Sequence, residues 1–186
     1  MNKLARVISI TTGSHTWMPL LVVILTFQQW RLHNSFWQLG ITLLIFLILI
    51  PFTYISRLIG QQRITDWDMR DRQQRLLASP LFLLSSSTAL FVAQFLAHPQ
   101  VLEQIYFLWL VTFASSVITQ FWKISLHMVV NTAGIILINV IFSWQLPWLF
   151  LILLPVAWTR YSQKHHTLHQ LLAGVSLVMA VALALI

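Results

Sequence analysis

The sequence predicts an all-α fold, a polytopic membrane helix bundle with six to seven transmembrane segments, on three observations. Of 186 residues, 58% are hydrophobic and 8% are charged, a balance far from that of soluble domains. Between its Asp, Glu, Lys and Arg residues the chain leaves uncharged runs at 7–30, 32–56, 76–102, 104–122, 124–159 and 165–186, and crossing a ~30 Å hydrocarbon core takes roughly 20 apolar residues at ~1.5 Å each. Seven of the nine Trp residues, Trp17, Trp30, Trp37, Trp122, Trp144, Trp148 and Trp158, fall near the ends of these runs, as an aromatic interface belt does.

Taken in order, the first segment is 15–30. Lys3 and Arg6 precede it with no small-x-small cleavage site after them, so an uncleaved span is expected. The second, 36–56, stops at Arg57, and the third, 79–97, follows the one substantial polar stretch, 57–78. The fourth, 101–121, ends at Trp122 and Lys123. The run 124–159 exceeds one crossing and is broken by Ser143, Trp144, Gln145, Leu146 and Pro147, a polar, Pro-containing turn. It divides into 124–143 and a short 147–160 that relies on Arg160 reaching back to the interface. The last segment is 168–186, and the whole of 1–186 reads as one integral membrane domain without internal repeat. Cysteine is absent, which excludes disulfides.

With seven segments, the N-terminus and the connections after the second, fourth and sixth share one side. That side carries ten of the eleven Lys and Arg residues, only Arg31 lying opposite, and the positive-inside rule makes it cytoplasmic. The net charge of +7 therefore reports topology and anionic head groups, not a nucleic-acid partner.

Three polar clusters open on that same side. One runs from Arg57 to Arg75 and contains Gly60, Asp66, Asp68, Asp71, Arg72 and Arg75; alone it reads as a charged interfacial helix. A second holds Lys123, Ser125 and His127, with Asn131 beyond. Helical spacing sets Lys123, His127 and Asn131 on one face. Ionisable groups at that depth are costly and usually functional, while a histidine nearer the interface is simply solvated. The third spans Thr159 and Arg160 to His165, His166, His169 and Gln170, with Gly174 further on. Four residues separate His166 from Gln170, so the Gln carbonyl can accept from the protonated ring nitrogen and fix the tautomer. The bland reading is an interfacial His cluster beside a basic loop. Gly174 on the same face permits close helix packing.

The order Ser125-x-His127, then Thr159-Arg160-x5-His166-x3-Gln170-x3-Gly174, resembles the motifs of the type 2 phosphatidic acid phosphatase and vanadium haloperoxidase superfamily. That superfamily has Ser-Gly-His followed by Ser-Arg-x5-His-x3-Asp. Gly60 through Asp66 to Arg72-Gln-Gln-Arg75 resembles the variant first motif of a small, all-membrane subgroup. Leu126, Thr159 and Gln170 replace the family's Gly, Ser and Asp. The resemblance implies a membrane lipid phosphatase acting on a lipid phosphate or diphosphate, glycerolipid or polyprenyl, with neither metal nor cofactor. It implies that His166 forms a phosphohistidine, that His127 protonates the leaving oxygen and that Gln170 orients His166. Arg72, Arg75, Lys123, Ser125 and Arg160 would hold the phosphate. A bacterial or organellar inner membrane, with the site on the cytoplasmic side, fits the charge distribution.

Two alternatives stand beside this. Asp66, Asp68 and Asp71, followed by Arg72 and Arg75, resemble the Asp-rich Mg-diphosphate segment of membrane prenyltransferases; the only other acidic residue, Glu103, falls on the opposite side. The other is a lipid-binding scaffold without turnover, to which Gln170 in place of Asp lends weight.

The charge asymmetry predicts that 57–78, 122–126 and 160–167 face the cytoplasm. In the Cys-free chain, a cysteine introduced as Ser162→Cys should resist an impermeant thiol reagent on intact cells and react after permeabilisation. Labelling of intact cells would reverse the topology.

Overall fold

The structure is a computed structural model that describes residues 7–185 apart from 10, 34, 35 and 70. Lys3, Arg6 and Arg70, which the charge argument used, therefore lie outside the described residues. Among those described, every regular element is helical: α1 (Ser14–Leu32), α2 (Phe36–Gly60), α3 (Arg72–Leu96), α4 (Pro99–Phe121), α5 (Leu126–Ile141), a 3-10 turn at Pro147–Ile152 running into α6 (Leu153–Ser162), and α7 (Leu168–Leu185).

Four of these, α2, α3, α4 and α7, are long and apolar enough to cross a membrane, fewer than the six to seven segments expected. The differences have local causes. His15, Thr16, Gln28, Gln29 and Arg31 dilute the hydropathy of α1. Ser125 caps α5 and a turn ends it, leaving 16 residues, about 24 Å of helix. The expected 147–160 span is divided between a 3-10 turn and the ten-residue α6. The apolar helices fit an integral membrane protein.

Two features of the chain's local chemistry shape the bundle. In α2 the hydrogen-bonding pattern widens to a π-helix at Leu44–Leu49, just ahead of Pro51, whose missing N–H and bulky ring disturb the preceding turn. The Ser85 hydroxyl of α3 donates to the carbonyl of Phe46 within that stretch. In α3 the helix starts at Arg72, not at 79 as expected, because the Asp71 carboxylate caps it by accepting from Gln73 N–H at 3.2 Å. Arg72 and Arg75 are thereby helix residues with fixed directions rather than loop residues.

The shortest apolar helix is the centre of the fold. Eleven of the 16 residues of α5 are buried, so protein rather than lipid surrounds it. Gly134 receives the Trp17 ring of α1 so closely that a Cβ there would sit 2.3 Å from it, and the Trp17 indole N–H donates to Asn131 Oδ1 at 2.7 Å. Trp17 is consequently a core residue, 8% exposed, not a member of the interface belt. The other six expected belt tryptophans are exposed. On the opposite side α7 approaches through Gly174, where a Cβ would lie 2.9 Å from the Ser125 carbonyl oxygen. At the far end, buried Gln29 ties α1 to the α3–α4 connection, donating to Leu96 O at 3.1 Å and accepting from His98 N–H at 2.9 Å.

This packing predicts that Gly134→Ala, forced against the rigid Trp17 ring, lowers stability by about 1–3 kcal/mol, the usual cost of overpacking. Gly60→Ala, whose Cβ would meet nothing within 4 Å, should stay within about 0.5 kcal/mol of the parent. Thermal unfolding of the detergent-solubilised variants checks the comparison.

Candidate functional site

The three polar clusters and the N-terminal segment meet at one end of the bundle. The turn after α6 brings the third cluster in. Lys164 adopts a left-handed φ of 56°, its N–H bonds to Tyr161 O at 2.9 Å and His165 N–H bonds to Arg160 O at 3.1 Å. This is a Schellman stop with lysine in the position glycine usually takes. His166 N–H also reaches Arg160 O, at 3.3 Å, so the histidine pair is tied to the backbone of the arginine before it.

The side chain of His166 is then fixed by the start of α7. Thr167 Oγ1 accepts from Gln170 N–H at 3.4 Å while Gln170 Oε1 accepts from Thr167 N–H at 3.2 Å, a reciprocal capping box. The same Gln170 Oε1 lies 3.1 Å from His166 Nδ1. Because the Thr167 N–H requires an oxygen opposite it, the Gln170 amide has one orientation, and His166 Nδ1 must be the donor. The ring is held as the Nδ1–H tautomer with the Nε2 lone pair free of that contact. The pairing read from the sequence is present, but through a helix cap rather than through one helical face, since α7 begins only at Leu168.

His127, 7% exposed, stands in the first turn of α5. Its Nε2 is 3.3 Å from Ser9 O and 3.8 Å from Asp68 Oδ1. Arg160, 1% exposed, donates from NH1 to Ser9 Oγ at 2.8 Å and to Asp68 Oδ2 at 3.1 Å; its Nε–H has no acceptor among the described residues. Arg75 is also buried, donating from Nε to Met69 O at 2.9 Å and from NH1 to Ile124 O at 2.7 Å. Met69 holds a left-handed φ of 43°, uncommon without glycine, where Arg75 grips its carbonyl.

Lys123 lies before α5, not on its face with His127 and Asn131, because the helix begins at Leu126. It reaches the cluster by donating from Nζ to His165 O at 3.1 Å. Asn131 does share the His127 face, but it supports the site from behind, donating to His127 O and Thr12 O at 2.7 Å each. Ser125 caps α5, its Oγ accepting from Met128 N–H at 3.5 Å, and its own N–H donates to Gln170 O at 3.1 Å. Arg72 is turned to the end of α4, donating to Gln120 O, and stands apart from the other cations.

Sequence reasoning missed two participants. Asp68 was grouped with Asp66 and Asp71 as a metal segment, yet Asp68 pairs with Arg160 and Asp71 caps α3; no three acidic or histidine side chains gather as a metal site among the described residues. Ser9 lies in the helical residues 7–9 ahead of α1 and carries no local pattern that would have marked it.

The electrostatics follow from three buried or half-buried cations, Arg75, Lys123 and Arg160, with Asp68 as the carboxylate paired to Arg160. Burial lowers the pKa of Lys123, and the charges of Arg75 and Arg160 lower it further. His166 is pushed down to about 3, first by burial, then by Arg75, Lys123 and Arg160, against a smaller opposing effect of the Gln170 hydrogen bond. At neutral pH it is an uncharged imidazole in a positive environment. That arrangement favours binding an anion and presents it with a nitrogen lone pair.

The same shift has a thermodynamic signature. The unfolded chain takes up the His166 proton near pH 6.5 and the folded chain only near 3, so stability is complete above about 6.5 and falls as pH drops between those values. His166→Asn should remove about 1–3 kcal/mol of the stability loss between pH 7 and pH 4, read from denaturation midpoints of both proteins. Equal losses in the two would show that His166 titrates normally.

No protein-family model, curated protein or solved structure matches the chain.

Proposed function

We propose that this chain is a membrane lipid phosphatase, a phosphoric monoester or diphosphate hydrolase of the type 2 phosphatidic acid phosphatase kind, working through a phosphohistidine without a metal. The observation that carries the reading is the neutral His166, pinned through Nδ1 by Gln170 and surrounded by Arg75, Lys123 and Arg160.

On this reading the phosphate's equatorial oxygens are held by the cations, with the unsatisfied Nε–H of Arg160 among the available donors. Phosphoryl transfer is served mainly by such positioning and charge stabilisation. Nε2 of His166 attacks phosphorus; the P–N bond forms as the P–O bond to the lipid alcohol breaks, and the departing oxygen takes a proton from His127. Asp68 and the Ser9 carbonyl keep hydrogen on His127 Nε2, and arrival of an anion beside Arg160 favours its charged form. Water then attacks the phosphohistidine, giving its proton back to His127 and releasing inorganic phosphate. Ser125 and Arg72, named by the resemblance as phosphate ligands, act instead by holding the helix ends that frame the pocket.

The reading sets the protein in a bacterial or organellar inner membrane with the site on the cytoplasmic face. It also takes α1, α5 and the 147–162 segment as crossing or entering the bilayer beside the four longer helices, giving six to seven segments. Substrates are lipid phosphates or diphosphates whose head group reaches the site at the interface.

Purified protein should release phosphate from a lipid monophosphate with chelator present and be inhibited by vanadate, which adopts the trigonal-bipyramidal geometry. His166→Ala should abolish release. Gln170→Ala should lower kcat about tenfold or more, whereas Gln170→Glu, which keeps both the cap and the acceptor, should retain most activity. Loss of activity with chelator and rescue by Mg²⁺ would favour the Asp-rich alternative; no release from any lipid phosphate would favour the scaffold.

A further inference from the structure

Arg75 belongs to two places at once. Besides joining the cation cluster, it lines a cleft of about 440 Å³ that runs into the bundle between α1, α2, α3, α4 and α5. The volume lies within the ~300–1,000 Å³ usual for ligand sites. The cleft follows one face of α3 from Arg75 through Ser79 and Phe82 to Ser86, and one face of α4 from Thr119 through Ser115 to Leu108. Each stripe spans eleven residue steps, about 16 Å along a helix at ~1.5 Å per residue. That depth is about half of a ~30 Å hydrocarbon core, one leaflet.

Hydroxyl groups along these stripes would suggest a wet, polar channel. Five of the six are instead turned back on their own helices: Ser79 donates to Leu76 O at 3.5 Å, Ser86 to Leu83 O at 3.2 Å, Thr112 to Leu108 O at 2.8 Å, Ser115 to Thr112 O at 3.0 Å and Thr119 to Ser115 O at 2.7 Å, Ser116 being the exception. The proton donors of those five are spent, and what they contribute to the cleft is small size. From α2 and α5 the facing wall is apolar, with Leu47 and Val130 among its residues. The result is a mostly apolar space whose one strongly basic group, Arg75, stands at the end nearest His166. Its chemistry matches a molecule with an anionic head and a single hydrocarbon chain.

We infer that one chain of the phosphate-bearing lipid lies inside the protein, in the cleft between α3 and α4, and that the depth of the cleft selects chains of about one leaflet's length. This rests on the lipid-phosphate reading and narrows it, from any lipid phosphate to one with a leaflet-length chain in preference to a polyprenyl phosphate several times longer. Ser86 and Ser115 are specificity-determining residues in this account, because a larger side chain at either would shorten the space.

Photocrosslinking tests it without requiring turnover. Hexadecyl phosphate carrying a diazirine at its chain end should label Ser86, Leu108 or Leu47 at the inner end of the cleft, and Ser115→Leu should lower that labelling. Labelling confined to the outward-facing Leu84 and Phe91, 67% and 61% exposed, would overturn the inference, as would equal cleft labelling by the matching diazirine of hexadecanol, which would mark the cleft as a place for any membrane lipid. In parallel, Ser115→Leu should lower the ratio of kcat/KM for hexadecyl phosphate over butyl phosphate about tenfold; an unchanged ratio would count against the cleft. Cleft labelling without phosphate release leaves the inference standing and removes the enzyme reading. Phosphate release with labelling only at the lipid face does the reverse.

Discussion

A guanidinium withdrawn from water has to be satisfied by whatever surrounds it, and Arg160, 1% exposed, imposes that requirement on two distant parts of the chain. Its side chain takes Asp68 from the α2–α3 connection and Ser9 from the N-terminal segment. Its carbonyl takes the N–H groups of His165 and His166. Asp68 and Ser9 in turn face His127. Segments remote in sequence are thus brought to one point by one buried charge, and removing a partner from such a pair leaves an uncompensated ion, a cost far above that of any surface ion pair.

Around that point, the side chains with chemical potential are aimed by the devices that start and stop helices. Asp71 begins α3 and so fixes where Arg75 points. Ser125 begins α5 two residues before His127. The Thr167 and Gln170 box begins α7 and sets the His166 tautomer with the same oxygen. Helix ends suit this purpose because their free N–H groups need acceptors anyway, so a short polar side chain can serve the backbone and the site together. The positive environment of His166 has the same origin, for three cations anchored on backbone carbonyls or on Asp68 cannot move away from one another.

The sequence was readable where its signal is local or summed over a window. Apolar runs located the long helices, basic residues sorted to one end, and the four-residue step from His166 to Gln170 foretold their contact. It was unreadable where a tertiary partner decides. Trp17 looks like an interface residue by position, and only the space above Gly134 makes it core. Lys123 looks like one turn of helix from His127, until the Ser125 cap excludes it. Asp68 reads with its acidic neighbours because sequence shows proximity along the chain, whereas its partner Arg160 lies 92 residues away. Ser9 acts through its backbone carbonyl as well as its hydroxyl, and a carbonyl carries no residue identity to recognise.

The central position of α5 bears on how such a chain is built during synthesis. With His127, Asn131, Thr132 and Asn139 among its buried residues, this 16-residue helix suits lipid poorly, and a nascent chain emerges from its N-terminus onward. When α5 leaves the ribosome, α1 and α4 already exist and α6 and α7 do not. Its first shelter must come from the earlier helices, where the Trp17 ring meets Gly134 and its indole meets Asn131, and α7 then closes over Ser125 through Gly174. The end of the bundle that holds His127 and His166 is therefore completed last, by the helix that carries the cap holding His166.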